Sequence, residues 1–506
     1  MNDAGFLAEG QGPKGMNAML QQEYKFSITL WKAVRGVAAG AAVVGGLAAI
    51  DYVQASDELK KLAPWALPVV LGLLTGGRNW LKARNLGSSG VIKVLIAALA
   101  LPFLPACNGK LPPPNVGQPF LCTGEAATPK AELITVKDPV PDRYIVSLNR
   151  ARTRTFNVRQ VEVFASGFSG LVNTRAIGTS SFATSISDKS AINKLLVDPN
   201  VAFVQQVQKL KLVEPIKATA IGSWGQDRIN QRALPLDGND EHAATGKGVH
   251  AFVIDTGCPA APDLKTCRQD HPEFGPRYAA ESLSVITFGG VDDQNGHATH
   301  VASTVGGSTF GIAKEVTLHS CRCLDKAGSG DTEGVARCVA WTKQAKLDHP
   351  EWPVVANMSL GGGIDPTLDQ AIADATAAGV TFALAAGNSS EDACNASPAR
   401  VDCAATTAAS DKGDKAAFFT NVGKCVKVVG PGVDIVGATP AGGSVPLSGT
   451  SMASPHACGV AALILEKNPT FSPAQVIETL LARATPDAIG GLPSGTPNKL
   501  LYSRPE

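Results

Sequence analysis

The chain has 506 residues, more than one ordinary hydrophobic core accommodates, and its composition of 44% hydrophobic and 18% charged residues excludes a chain that is disordered throughout. Lys and Arg number 45 against 44 Asp and Glu, a net charge of +1, so the basic field that a nucleic acid partner requires is missing. The 52 Gly and 33 Pro follow no collagen-like period, which leaves a turn-rich globular protein, and 11 Cys are many for a reducing compartment.

Residues 1–107 carry three apolar runs, Gly36 to Ile50, Leu62 to Gly76 and Val94 to Ala106, with basic residues at Lys32, Arg35, Arg78, Lys82, Arg84 and Lys93. Each run is shorter than the roughly 20 apolar residues that span a bilayer, though flanking residues can extend the first two. A membrane or targeting region is expected here, with buried helices of a small domain as the competing reading. Residues 85–107 end in Leu104-Pro105-Ala106-Cys107 and are followed by Pro112-Pro113-Pro114. That pattern resembles a bacterial lipoprotein signal, which would make Cys107 a lipidation site. Its internal position has two explanations. Either a membrane segment similar to small two-helix phage holins precedes it, or translation starts later than Met1. Residues 108–141 read as a linker.

From Asp142 the pattern becomes that of a compact α/β unit, 142–213, without a cysteine. Arg143 to Leu148 and Val201 to Leu212 read as strands, Val161 to Leu171 as a mixed segment, and Lys189 to Leu196 as a helix. Residues 214–223 lack periodicity and read as an exposed connection.

Residues 224–506 are long enough to bury a substantial core. Apolar strand candidates at Val249 to Asp255, Val316 to Leu324, Pro353 to Leu360, Val380 to Gly387 and Cys425 to Gly432 alternate with helical patterns. The helices are expected at His297 to Val305, Gly330 to Ala345, Pro366 to Ala378, Ser451 to Glu466 and Pro473 to Ala482. The alternation predicts an α/β fold whose sheet is mostly parallel and covered by helices on both faces, with ligand groups at the carboxyl ends of strands.

Chemistry-bearing residues fall at such positions. Asp255 closes a strand before Thr256-Gly257, an arrangement that by itself suits a structural turn. His297 and His300 share one helical face in Asn295-Gly296-His297-Ala298-Thr299-His300. They could hold a metal, but no Glu lies between them and no third ligand follows at a characteristic spacing, which favours a packed His300. Ser448, Thr450, Ser451 and Ser454 precede an apolar helix, where any of them could serve as a cap.

Taken together, Asp255-Thr256-Gly257, the His297 segment and Gly449-Thr450-Ser451-Met452-Ala453-Ser454-Pro455 resemble the three active-site motifs of the subtilisin family of serine endopeptidases, in that family's chain order. Ala385-Ala386-Gly387-Asn388 resembles the segment that supplies the oxyanion-hole Asn. The resemblance implies Ser451 as nucleophile, His297 as general base and acid, Asp255 as its orienting carboxylate, and Asn388 with the Ser451 N–H as oxyanion donors. An α/β-hydrolase would instead carry Gly-x-Ser-x-Gly and place its acid after the serine.

Further family features follow from the same resemblance. Gly328-Ser329-Gly330 and Ser359-Leu360-Gly361 are similar to the two segments that clamp an extended peptide, and Gly361-Gly362-Gly363 with Ala385, Ala386 and Gly387 would line the pocket beside the scissile bond. The substrates implied are proteins or peptides, hydrolysed without a catalytic cofactor. Trp224 to Ile229 and Thr496 to Tyr502 look like the ends of a proteinase K-like mature enzyme, expected to be monomeric. The unit 142–213 is similar to an inhibitory propeptide whose tail, Glu214 to Ala220, is cut by the enzyme itself. Two departures stand out. Ala298 occupies a position commonly Gly, which raises the alternative of a catalytically impaired binding protein. Lys427 stands where such relatives place a calcium-binding Asp, which disfavours that site while leaving structural calcium elsewhere open.

Nine Cys follow residue 257, an odd number that requires a free thiol or a distant partner. Cys258 with Cys267 could close a short loop, and Cys394 with Cys425 resembles a disulfide of marine relatives. The economical setting is extracytoplasmic, secreted or anchored to a membrane, and bacterial.

Overall fold

The computed structural model describes residues 117–122, 131–153, 156–212, 216–217, 224–239, 242 and 244–504. The expectations for residues 1–107, Cys107 included, lie outside the described residues. No described helix is long and apolar enough to cross a membrane. Residues 112–506 form one compact unit, so the expected small α/β piece is not a separate body.

That piece comprises β1 (Glu132–Ile134), β2 (Pro139–Leu148), α1 (Val158–Ser166), β3 (Leu171–Ile177), β4 (Ser181–Ile186), α2 (Lys189–Val197) and β5 (Val201–Leu212). Its sheet runs β1-β5-β2-β4-β3, antiparallel except for β1 on β5. Local chemistry starts the helices. Asn157 and Gln160 form a reciprocal capping box on α1, and the Asp188 carboxylate accepts the Ser190 N–H at the start of α2. One sheet face, with Tyr144, Val146, Phe182 and Val204, buries the apolar sides of these helices, Val161, Ala165, Ile192 and Leu195. The opposite face, Ile145, Ala183 and Val207, packs on Ala336. The linker expected at 108–141 is therefore structured in part. β1 and the first residues of β2 fall inside it, and Phe120 forms a parallel bridge with Val401.

The larger part continues with β6 (Ile216–Lys217), α3 (Gly225–Ile229), β7 (His250–Asp255), β8 (Leu283–Ser284), α4 (His297–Gly306), β9 (Thr317–Arg322), β10 (Ser329–Asp331), α5 (Thr332–Asp348), β11 (Val354–Met358) and β12 (Leu360–Gly361). It ends with α6 (Pro366–Ala377), β13 (Val380–Ala385), β14 (Ala405–Ser410), β15 (Val428–Pro431), β16 (Ile435–Ala438), β17 (Ser444–Ser448), α7 (Thr450–Lys467), α8 (Pro473–Arg483), β18 (Thr485–Pro486) and β19 (Lys499–Leu500). The main sheet has the order β18-β19-β15-β14-β13-β11-β7-β9-β8 and is parallel apart from β18 on β19.

Helices cover both faces, as the run-and-helix alternation predicts. Alternate side chains of β7 enter different cores: Ala251 and Val253 meet Val301, Val460, Ile464 and Leu480 of α4, α7 and α8. Phe252 and Ile254 meet Val335, Val339, Leu368 and Ile372 of α5 and α6. Three buried strands escape the apolar-run criterion: β4 and β14, because Ala, Thr and Ser compose most of them, and β16, which is only four residues long.

Among the described residues four disulfides join Cys122 to Cys403, Cys258 to Cys267, Cys321 to Cys338, and Cys394 to Cys425. Both outcomes that the odd count allowed occur together, since Cys403 has a distant partner while Cys323 and Cys458 are free and buried. Cys122, Asp402 and Cys403 also lie close enough to hold an ion, but the disulfide uses both sulfurs.

Full burial of His456 in α7 holds its imidazole neutral and lowers its pKa to about 4. The unfolded chain takes up this proton near pH 6.5, so the contribution to stability is lost as pH falls from about 6.5 toward 4. Denaturant unfolding of the Ser451→Ala protein tests this, with and without His456→Gln. Between about pH 7.5 and about pH 5.5 the added substitution should reduce the loss of stability by about 1 kcal/mol; an equal loss in both proteins contradicts the assignment.

Candidate active site

Asp255 is the last residue of β7 and is fully buried. Its carboxylate accepts the Thr256 N–H at 2.7 Å and faces His297 Nδ1 at 2.9 and 3.0 Å through its two oxygens. A carboxylate at Nδ1 selects the tautomer with its proton there, leaving Nε2 as the basic atom. His297 Nε2 is buried and has no hydrogen-bond partner among the described residues.

Asp293 aligns the two elements. Its Oδ1 accepts Thr256 Oγ1–H at 2.7 Å and Gly296 N–H at 2.8 Å, while its Oδ2 accepts the Thr299 N–H and Oγ1–H at 2.8 and 2.6 Å. The β7 turn is thus tied to the amino end of α4, where a carboxylate also complements the helix dipole. Gly296, at φ +93°, supplies the left-handed residue that turns the chain into the helix. Ala298 is buried in the first turn, and its N–H donates to Thr256 Oγ1 at 3.0 Å. His300 is fully buried in the same helix. Its Nε2 is 3.0 Å from the Ile435 carbonyl and 3.1 Å from that of Val445, so it ties α4 to the β16–β17 hairpin.

Ser451 lies at the amino end of α7. Its hydroxyl donates to the Ser359 carbonyl at 3.3 Å, and Ser359 Oγ donates back to the Ser451 carbonyl at 2.9 Å. Asn357 of β11 supports both segments, donating to Ser359 Oγ at 2.9 Å and accepting Ser454 Oγ–H at 2.7 Å. The hydroxyl-bearing residues are therefore not caps. Gly449 precedes the helix with no side-chain cap, Thr450 bonds to Asn388, and Ser448 Oγ pairs with Asp434.

Asn388 follows β13. Its Oδ1 accepts both the Thr450 N–H and Oγ1–H at 2.9 Å, which fixes the amide so that its Nδ2 donors face the other way. The loop that carries it is held by Asn421, whose Nδ2 donates to the Ala386 carbonyl at 3.0 Å and whose Oδ1 accepts the Ser389 N–H at 2.9 Å. Gly387, at φ +110°, is needed here, because a Cβ would lie 2.3 Å from Asn421 Nδ2. Ala385 is buried in β13 behind it. Cys323 sits beneath the Asp255 carbonyl, but burial pushes its thiol well above the usual range and keeps it from acting as a thiolate.

The expected peptide-binding segments form the two walls of a cleft already filled by the chain itself. The end of β5 lies between β10 and β12: Lys209, Leu210 and Lys211 face Asp331, Gly330 and Ser329, while Lys211 and Leu212 face Gly361 and Leu360. The Leu212 N–H donates to the Gly328 carbonyl at 2.8 Å. The walls fit closely around this strand: a Cβ at Gly328 or at Gly362 would lie 2.6 Å from the Leu212 or Leu210 side chain, which would have to shift. Beyond the cleft, Ile216 faces Ser448 across β17.

The sequence motifs identified Asp255, His297, Asn388 and Ser451 but missed their supports. Asp293 had a signal, an acid just before a helix start. Asn357 and Asn421 had none, because tertiary folding alone brings them to their partners, and Thr450, though part of the Ser451 motif, gave no local sign of its bond to Asn388.

The Subtilase family model matches residues 246–499. The extracellular serine proteinase of Thermus sp. (strain Rt41A) is 43% identical over 312 residues, covering 61% of this chain and 72% of that protein. Alkaline serine exoprotease A of Vibrio alginolyticus is 40% identical over 376 residues, covering 72% of this chain and 68% of that protein. The chain belongs to the subtilase family. This subtilase, a serine endopeptidase, has the α/β subtilisin-like fold. The crystal structure of a cold adapted subtilisin-like serine proteinase matches it with a TM-score of 0.51 and 44% identity, over 56% of this chain and 98% of that one.

If Asp293 positions the histidine, Asp293→Ala should lower kcat for a peptide substrate by about tenfold or more with little change in KM. A change confined to KM contradicts a positioning role. Ala298→Gly measures the cost of the methyl group beside His297: a penalty appears as a higher rate in the variant, and an unchanged rate shows that the methyl is tolerated.

Proposed function

We propose that this subtilase hydrolyses proteins and peptides with Ser451 as nucleophile, His297 as general base and then acid, and Asp255 as the group that orients the imidazole. The Ser451 hydroxyl proton passes to His297 Nε2 as the Oγ–carbonyl bond forms; the proton then goes to the leaving amine as the C–N bond breaks. Water repeats the cycle on the acyl-enzyme. Asn388 Nδ2 and the Ser451 N–H would stabilise the oxyanion at each step.

The observation that carries this reading is the docking of Lys209–Leu212 as the middle strand between β10 and β12. Leu212 faces Leu360, the neighbour of Ser359, whose carbonyl is 3.3 Å from Ser451 Oγ. An extended substrate would add in the same way, through backbone hydrogen bonds, with apolar side chains favoured where Leu210 and Leu212 join the buried cluster.

The same docking supports a zymogen. Residues 142–213, together with β1, would act as an inhibitory propeptide of a proteinase K-like enzyme, and 214–223 as the processing linker. Leu212 pairs with Leu360, next to Ser359, and Ile216 pairs with Ser448, three residues before Ser451, so the first cut would belong in the connection between them. The disulfides and the similarity to the extracellular serine proteinase of Thermus support an extracytoplasmic enzyme. A bacterial source, a lipid or membrane anchor at the amino end and a monomeric mature form complete the proposal. Structural calcium remains part of it, with the Lys427 position disfavoured because an ammonium cannot ligate a cation.

Ser451→Ala should abolish covalent labelling by a fluorophosphonate; labelling retained in the site contradicts the assignment. Asn388→Ala should retain labelling but lower kcat by about 10²–10³, the magnitude known from subtilisin.

A further inference from the structure

We propose that the Cys122–Cys403 disulfide keeps the cleaved propeptide attached to the catalytic portion, so that maturation first yields a two-chain, covalently tethered enzyme. This rests on the reading that the chain is cut between Leu212 and Ile216.

Cys122 precedes the whole propeptide-like unit, whereas Cys403 belongs to the catalytic portion, and the unit between β1 and Leu212 contains no cysteine. The segment around Cys122 is built onto the catalytic surface. Phe120 donates its N–H to the Arg400 carbonyl at 2.9 Å and accepts the Asp402 N–H at 3.0 Å. The Cys122 N–H donates to Asp402 Oδ1 at 2.9 Å, and Lys424 Nζ donates to Gln118 Oε1 at 2.8 Å. The Phe120 and Cys122 side chains pack against the cluster that contains Val401 and Ala404.

Hydrolysis in the connection adds water across one C–N bond, leaving a carboxylate on one fragment and an amine on the other. No electron reaches sulfur, so the S–S bond survives the cut. Residues 123–131 then join the anchored Cys122 to β1. Through so short a tether, redocking of β5 in the cleft is intramolecular, with an effective concentration on the order of millimolar. Diluting the enzyme therefore does not release the inhibitor. Release requires a second cut between Cys122 and β1, or exchange of the disulfide with a thiolate. A second cut still leaves Cys122, and the chain upstream of it, bonded to the catalytic portion.

The test uses the full chain exported to an oxidising compartment, denatured at acid pH in the presence of an alkylating agent so that the buried thiols of Cys323 and Cys458 are blocked before they can exchange. Denaturing electrophoresis and intact mass should show a single species without reductant, and two fragments after reduction. Disulfide mapping should find the Cys403 peptide joined to a Cys122 peptide, even where the propeptide has been trimmed further. In Cys122→Ser the fragments should separate without reductant, and about hundredfold dilution should raise activity per molecule several-fold, while the wild type stays unchanged. Fragments that separate from wild type without reductant, or an alkylated Cys403, overturn the tether. A chain left uncut in both lanes overturns the processing reading on which it rests.

Discussion

Strand β7 is covered on both faces, so side chains along its length are committed to packing, and Asp255 at its carboxyl end is the one it offers to chemistry. The other members of the constellation reach the same rim from neighbouring elements: His297 and Ser451 from the amino ends of α4 and α7, and Asn388 from the loop after β13. Doubly covered parallel sheets concentrate ligand groups at this rim for that reason. Burial then makes the hydrogen bonding strict. Asp293, Asn357, Thr450 and Asn421 each bond to two or more backbone or side-chain groups, so the reactive side chains are held by fully occupied neighbours.

The contact between the two parts of the chain uses two kinds of interaction. Along β5 the bonds are mainly between backbones, so the cleft accepts the strand with little dependence on its side chains. Toward the amino side, a side chain and a backbone N–H of β5 complete the helix starts that the catalytic portion presents. The buried Gln205 donates to Asp365 Oδ1 at 2.7 Å and accepts the Thr367 N–H at the start of α6, while the Gln208 N–H donates to Thr332 Oγ1 at 3.2 Å. Around these sit ion pairs of Arg143 with Glu333 and Arg150 with Asp374. The more exposed of such pairs add little, whereas a buried amide left without partners costs about 1–3 kcal/mol. Loss of this unit would therefore expose the helix starts to water as well as opening the cleft.

The doubly covered sheet was legible because apolar runs such as Phe252 to Ile254 alternate with amphipathic helices. The motifs around Asp255, His297, Asn388 and Ser451 could be picked out because each residue sits in a short local pattern. β14 was not, since Ala405-Thr406-Thr407-Ala408-Ala409-Ser410 is a strand by virtue of its position between β13 and β15 rather than by propensity. The serine and threonine hydroxyls in the first turns of α7 looked like caps because their partners, Asn388, Asn357 and Ser359, are distant in sequence. The pairing of Cys122 with Cys403 had no local signal at all, and with it the attachment of residues 117–122 went unread.

The central claim is that the chain lies across its own cleft as a substrate does, with Leu212 paired to Leu360 and Ile216 to Ser448. Amino-terminal sequencing with intact mass, at early times after synthesis, tests it most directly. The first new amino terminus should fall in the segment joining Leu212 to Ile216, and it should be absent from Ser451→Ala. A first cut before Leu212 or beyond Lys217, or the same cut in Ser451→Ala, would contradict it.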